Sequence, residues 1–316
     1  MFIINKYNLM KLILPFGVFL LTLYISPYFV NGDQFHYNKI YNEIPNLDFI
    51  PGFLYYHSNI ASYEPIYYII VNFFSSFMDR IVFIALSNSI LVYTIIRLFE
   101  KYKVSILVGS FLILTNYYFI VLYFSAERLK YAFLFLFLFL LSKNNKSKVS
   151  FVMLSVTTHI QMFILYLAIV FKQIISSVQN IFINSKINKK HILYFVIATV
   201  ILVLMQNQIL NKFNSYFYNS SLIFPYKILI FFSLSMIYTK NRSEVISIFF
   251  ILLVSILFLG EGRINIYGYF VFLYYAIQYK KGLNVGIFLT SSYYFYQTIL
   301  FINNIFLTGD GYGHFR

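Results

Sequence analysis

"YFSAERLKYAFLFLFLFLL" runs from Tyr123 to Leu141. Its second half is Phe and Leu without a polar break, and Glu127, Arg128 and Lys130 stand just before it. What those charges do depends on the solvent around them, and composition decides that. The chain has 316 residues, 60% hydrophobic and 11% charged, with a mean hydropathy of +0.74. A water-facing surface cannot hide so much apolar side chain without becoming adhesive. Stretches 9–30, 104–124 and 192–210 are nearly free of charge, and about 20 residues at ~1.5 Å each match a hydrocarbon core of ~30 Å. The chain therefore reads as an all-α polytopic membrane protein forming one integral membrane domain, residues 1–316. A cleaved signal peptide is the competing reading of 9–30, but the apolar run is long and no small-residue cleavage site follows.

Candidate spans are 9–30, 81–99, 104–124, 129–142, 192–210, 222–239, 245–260, 264–279 and 285–306. Segments 65–78, which is short, and 149–171, which is polar in its middle, are ambiguous, so the expectation is roughly 9–11 transmembrane helices. If neither ambiguous segment crosses, one side collects Lys6, Lys11, Arg97, Lys101, Lys103, the basic run "KNNKSK" (143–148), Lys172, Lys186, Lys189, Lys190, Lys240, Arg242, Lys280 and Lys281, with only Glu100 and Glu244. That side then carries the whole net charge of +14. The positive-inside rule makes it cytoplasmic, and nucleic acid is not needed to explain the basic excess. If both cross, Arg97, Lys101, Lys103 and the 143–148 run fall outside, against the rule. Both maps put the N-terminus inside and 31–64, the main extracytoplasmic loop, outside.

The absence of cysteine removes disulfides, thiolate catalysis and cysteine-based zinc sites. There is no Walker loop, dinucleotide glycine pattern, HExxH or Asp-x-Asp, so no metal site and no cofactor are expected. Candidate chemistry lies at the outer face. The loop opens "NGDQFHYNKIYN" (31–42) and closes "ASYEPIYYII" (61–70), gathering Asp33, Tyr37, Glu64 and Tyr67. Carboxylates beside tyrosines suit a sugar, and a carboxylate is the usual base when a sugar hydroxyl attacks. Glu64 directly before Pro65 also has the look of a simple helix cap. Lys130 is expected to snorkel to the headgroups, whereas the fork of donors on Arg128 suits a diphosphate. In "LGEGRINIYGYF" (259–270), Glu261, Arg263 and Tyr267 repeat the theme at another outer helix start. His159, in "SVTTHIQMF" (155–163), is an intramembrane ionisable group among Thr157, Thr158 and Gln161, a polar cluster of the kind that lines a cavity or a helix break. The tail "GDGYGHFR" (309–316), with Asp310 and His314, reads as a loose terminus.

In order and spacing these motifs resemble the EpsG-type, Wzy-like polysaccharide polymerases of bacterial surface-glycan clusters. The resemblance rests on Gly32, Asp33 and Tyr37; Glu64 and Tyr67; Arg128 and Ala132; the 143–148 run; His159; and the late Arg263 with Tyr267. It implies a GT-C-like membrane glycosyltransferase in the bacterial cytoplasmic (inner) membrane, with an extracytoplasmic active site. Such an enzyme joins undecaprenyl-diphosphate-linked oligosaccharides, one as donor and one as acceptor, beside a flippase and a chain-length regulator. Carried onto this chain, Arg128 and Arg263 hold the diphosphate. His159, Asp33 and Glu64 serve catalysis, and Tyr37, Tyr67 and Tyr267 bind glycan. The rival readings are a lipid-linked oligosaccharide flippase or transporter, which calls for symmetric halves, and a membrane glycan O-acyltransferase.

Overall fold

A computed structural model describes residues 6–60, 64–184, Gln206 and 225–313. The span expected over 192–210 lies outside these residues apart from Gln206. Every regular element among the described residues is helical. In chain order they are α1 (Lys6–Ile25), α2 (Asp33–Glu43), α3 (Phe49–Ile60), α4 (Pro65–Ser75), α5 (Arg80–Lys101), α6 (Ile106–Thr115) and α7 (Tyr117–Phe124). There follow α8 (Glu127–Leu141), α9 (Asn145–Thr158), α10 (Met162–Asn184), α11 (Tyr226–Tyr238), α12 (Arg242–Leu259), α13 (Glu261–Gln278) and α14 (Val285–Thr308). Among the described residues, Tyr7–Tyr28, Arg80–Lys101 and Lys280–Thr308 are long and apolar enough to cross a membrane. α6 and α7 together make a fourth such segment, bent by 51°. By internal packing the chain divides into two units, Met1–Ile160 with Lys280–Arg316, and Gln161–Tyr279.

In the first unit α5 runs antiparallel to α1. Lys11 Nζ lies 2.7 Å from Glu100 Oε2, Ser89 Oγ donates to the Pro15 carbonyl at 2.9 Å, and Asn88 Nδ2 donates to Thr22 Oγ1 at 3.0 Å. The Tyr7 hydroxyl donates to the Val104 carbonyl, and Ser105 N–H donates to the Lys281 carbonyl at 2.7 Å. Lys11, Lys101, Lys103, Lys280 and Lys281 therefore cluster at one end of this unit, which α5 regains after α1 leaves it. At the opposite end Val30 and Asn31 N–H both donate to the Gly309 carbonyl, at 3.1 and 2.8 Å. A 20-residue helix separates the two ends by about 30 Å.

Three details depart from the sequence reading. The 104–124 segment is not one straight helix. Asn116 is buried there, and its Oδ1 accepts from Tyr118 N–H at 3.1 Å, which caps a fresh helix start in mid-segment. Residues 31–60 are helical instead of an open loop. Tyr37, Ile40, Tyr41 and Ile44 form a stripe at helical spacing that packs with Tyr56, Tyr67, Tyr68, Phe83 and Tyr131. The tail is docked through Gly313, with Asp310 only 4% exposed and the Asn31 amide donating to the Thr308 carbonyl at 2.7 Å. Gly32 makes that docking possible. Its φ of +63° favours glycine, and a Cβ there would sit 3.2 Å from Asp310 Oδ1. His314 lies outside the described residues.

The second unit holds α10 to α13. At one of its ends Lys172 Nζ donates to Asn241 Oδ1 at 3.0 Å and the Tyr275 hydroxyl donates to Glu244 Oε1 at 2.8 Å. Lys172, Lys240 and Arg242 gather at that end, and Arg263, at the start of α13, lies at the other. α11 crosses α13 at Gly268, where a Cβ would come within 2.4 Å of Ile228 Cδ1.

Candidate functional site

The site grows from the start of α4. Pro65 has no N–H to lose at the first helical position, and Glu64 precedes it with extended backbone. The Glu64 side chain does not cap its own helix. It turns inward, 3% exposed, and meets the Arg128 guanidinium, the His159 imidazole and a backbone N–H. Oε2 accepts from Arg128 Nη1 at 2.7 Å, Oε1 lies 2.9 Å from His159 Nδ1, and Oε1 also accepts from Ile160 N–H at 3.2 Å. Burial alone would raise the pKa of Glu64. The charges of His159 and Arg128, with the hydrogen bonds from His159 and Ile160, outweigh it and hold the carboxyl well below the usual range. The carboxylate is ionised across the physiological range, and isolated it would not survive such burial.

His159 reaches Glu64 because α9 stops at Thr158. The Thr157 and Thr158 hydroxyls bond back to the Met153 and Leu154 carbonyls, both at 2.6 Å, and His159 turns to extended backbone (φ −149°, ψ 105°). The polar run 157–161 is thus a helix break, and the break exposes the Ile160 N–H that Glu64 accepts. α9 packs along α8, with Ser155 Oγ donating to the Ala132 carbonyl at 2.8 Å, which sets His159 level with the start of α8.

Arg128 is the second residue of α8. Its Nε donates to the Tyr37 hydroxyl at 3.0 Å, and among the described residues Nη2 has no hydrogen-bond partner. Burial pushes the Tyr37 hydroxyl up to about 12, so it stays protonated as it accepts from the guanidinium. With its side chain 19% exposed, Arg128 keeps donors for a further anion.

A second polar cluster touches the first. Glu127, 2% exposed, accepts from the Tyr67 hydroxyl at 2.8 Å through Oε2 and pairs with Arg80 through Oε1. Arg80 Nη2 also donates to Gln34 Oε1, and Gln34 Nε2 donates to the Phe124 carbonyl at 2.8 Å. The Tyr37 and Tyr67 rings meet edge-on at 5.8 Å between the two clusters.

Six residues singled out in the sequence lie in the first unit, and five of them converge: Tyr37, Glu64 and His159 around Arg128, with Tyr67 one contact away. The Tyr37 and Tyr67 rings are packed inside, their hydroxyls committed to Arg128 and Glu127. Asp33 is exposed in the first turn of α2, with no hydrogen-bond partner among the described residues. In the second unit Arg263 is exposed at the start of α13, while Tyr267 is fully buried. Glu261 takes its hydrogen bond from Asn265 Nδ2 at 3.1 Å, one turn on. Lys130 does not snorkel. It is 1% exposed, donates to Asn88 Oδ1 at 2.9 Å and lies 5.6 Å from the Tyr131 ring centroid.

Arg80 and Gln34 escaped the sequence reading. The signal for Arg80 was its place in the first turn of a helix, where the dipole disfavours a cation. Among the described residues no group of three or more His, Cys, Asp and Glu side chains is placed to hold a metal ion. Comparison with family models, curated proteins and solved structures finds no match to this chain.

Proposed function

We propose that the protein is a surface-polysaccharide polymerase that joins undecaprenyl-diphosphate-linked repeat units at the outer face of the bacterial cytoplasmic membrane. One observation carries this reading: Glu64, Arg128 and His159, from three separate segments, meet in one cluster at the end of the first unit opposite the one where Lys11, Lys101, Lys103, Lys280 and Lys281 gather. The lysine-rich end is then cytoplasmic under the positive-inside rule, and the cluster faces outward. This favours the map in which 65–78 does not cross, since α5 returns to the end where α1 began. The count of roughly 9–11 spans and a GT-C-like architecture belong to this proposal.

In the reaction, an acceptor hydroxyl oxygen attacks the anomeric carbon of the donor sugar. The bond from that carbon to the diphosphate oxygen breaks, and undecaprenyl diphosphate leaves with the electron pair. Arg128, through its spare Nη donors, neutralises the charge growing on the departing diphosphate. Arg263 is assigned to diphosphate binding by the resemblance alone. His159 takes the hydroxyl proton on its imidazole. Glu64 itself is too acidic for a strong base. Its part is to orient the imidazole and stabilise the imidazolium, as a carboxylate does in a catalytic triad. Asp33, exposed on α2, positions the acceptor glycan. The partners are the two lipid-linked oligosaccharides, with a flippase supplying them and a chain-length regulator limiting the product.

The test is the glycan ladder of a deletion strain. A polymerase predicts loss of the ladder with a single repeat retained. Loss of all surface glycan points to a flippase, and normal chain length with missing acetyl groups points to an O-acyltransferase.

A further inference from the structure

The second cluster sits beside the first in a regular way. Gln34 lies one helical turn before Tyr37 on α2, Tyr67 lies three residues after Glu64 on α4, and Glu127 directly precedes Arg128 on α8. Each of these bears on one network: Tyr67 and Arg80 on Glu127, and Gln34 on Arg80. Arg80, from α5, is the group that joins them. Three segments that each deliver a side chain to the Arg128 cluster are therefore tied to a fourth at a point within one helical turn of the delivered residue. Glu127 and Arg128 are neighbours on a helix and so face different directions, which lets one backbone position anchor α8 and present the guanidinium at once.

We propose that Arg80 and Glu127 form a positioning pair that sets the registry of α2, α4 and α8 and thereby aims the Arg128 guanidinium at a lipid diphosphate. The inference rests on the polymerase reading for its ligand. The alternative is an ion pair that only holds the fold. Removing one partner would leave a buried charge unpaired, at large cost, so the informative variant is the double substitution Arg80→Gln with Glu127→Gln, which removes both charges and keeps hydrogen-bonding groups of similar size. Tyr67→Phe is a second, milder variant that removes a single hydroxyl from Glu127.

The experiment measures the dissociation constant of undecaprenyl diphosphate for full-length protein in nanodiscs, on the folded fraction, together with the melting temperature. Misaligning one charged hydrogen bond to the diphosphate corresponds to about tenfold weaker binding for the double variant. Tyr67→Phe should weaken binding less, by about threefold. Arg128→Ala is the reference that loses specific binding altogether. A purely structural pair would lower the melting temperature and leave the affinity of the folded fraction unchanged, and that result overturns the inference while leaving the polymerase reading intact. Should Arg128→Ala bind as wild type does, the diphosphate reading fails, and the positioning role falls with it. If the double variant does not fold, Tyr67→Phe decides: unchanged affinity overturns the proposal, and weakened affinity without a lower melting temperature supports it.

Discussion

Replacing Glu64 by Gln is the most informative single change to the buried cluster. Gln keeps the shape of the side chain and one acceptor oxygen. That oxygen can satisfy Arg128 Nη1, now 2.7 Å from Oε2, or the His159 and Ile160 donors on Oε1, but not both. Placed against Arg128, it turns the amide N–H toward Ile160 N–H, donor against donor, and leaves the guanidinium without its counter-charge. Removing one partner of a buried ion pair costs about 3–5 kcal/mol. For a folding unit of 150–250 residues, each kcal/mol lowers the melting temperature by about 2–4 °C, so Glu64→Gln should melt about 6–20 °C lower. A domain stable by about 5–15 kcal/mol survives that loss at growth temperature, so protein is still made. The polymerisation rate should fall by about 10²–10⁴-fold, the range typical of a lost acid–base group, because His159 loses its orienting carboxylate. The assay pairs a melting curve in detergent with the glycan ladder of a complemented deletion strain. A melting temperature within about 2 °C of wild type, less than one kcal/mol is worth, together with a full ladder would refute both the ion pair and its role.

Four further outcomes follow from the same geometry. Because the chain lacks cysteine, Asp33→Cys should react with an impermeant thiol reagent on intact cells, while Lys101→Cys should react only after permeabilisation; the reverse pattern inverts the topology. Arg263→Lys keeps the charge of an exposed side chain and should leave the melting temperature unchanged yet reduce the ladder to single repeats, and normal chain length would remove Arg263 from diphosphate binding. Gly32→Ala forces a side chain into a positive-φ position against Asp310 and should destabilise by about 1–2 kcal/mol, read as earlier proteolysis of the C-terminal segment. Glu64 titrates lower in the folded than in the unfolded protein, so its stabilisation is complete above the ordinary Glu value of about 4.3 and is lost as pH falls toward the folded value. Wild type should therefore lose melting temperature on acidification below that point more steeply than Glu64→Gln, and parallel curves would contradict the assignment.

The parts of the fold that were legible in the sequence are those set by local composition. α1, α5 and α14 follow from apolar length, and the break at His159 was flagged by the polar run around it. The bend at Asn116 and the helix α2 had signals too, an amide in mid-segment and an apolar stripe at helical spacing. They were masked by the stronger impression of a continuous span and a polar loop. Lys130 reads as a snorkelling residue from position alone. Its burial depends on Asn88, 42 positions away, which no local pattern announces. Glu64, Arg128 and His159 could each be singled out, but their meeting spans separations of 64 and 95 residues. Adjacency in the chain does not give the pairing. Glu127 and Arg128 stand side by side in the chain, yet neighbours on a helix do not face each other, so Glu127 pairs with Arg80 and Arg128 with Glu64.

The most direct check is the surface-glycan ladder from cells carrying Arg128→Ala at wild-type protein level. The account predicts lipid-linked single repeats that accumulate and no polymer. Polymer of normal length would contradict it.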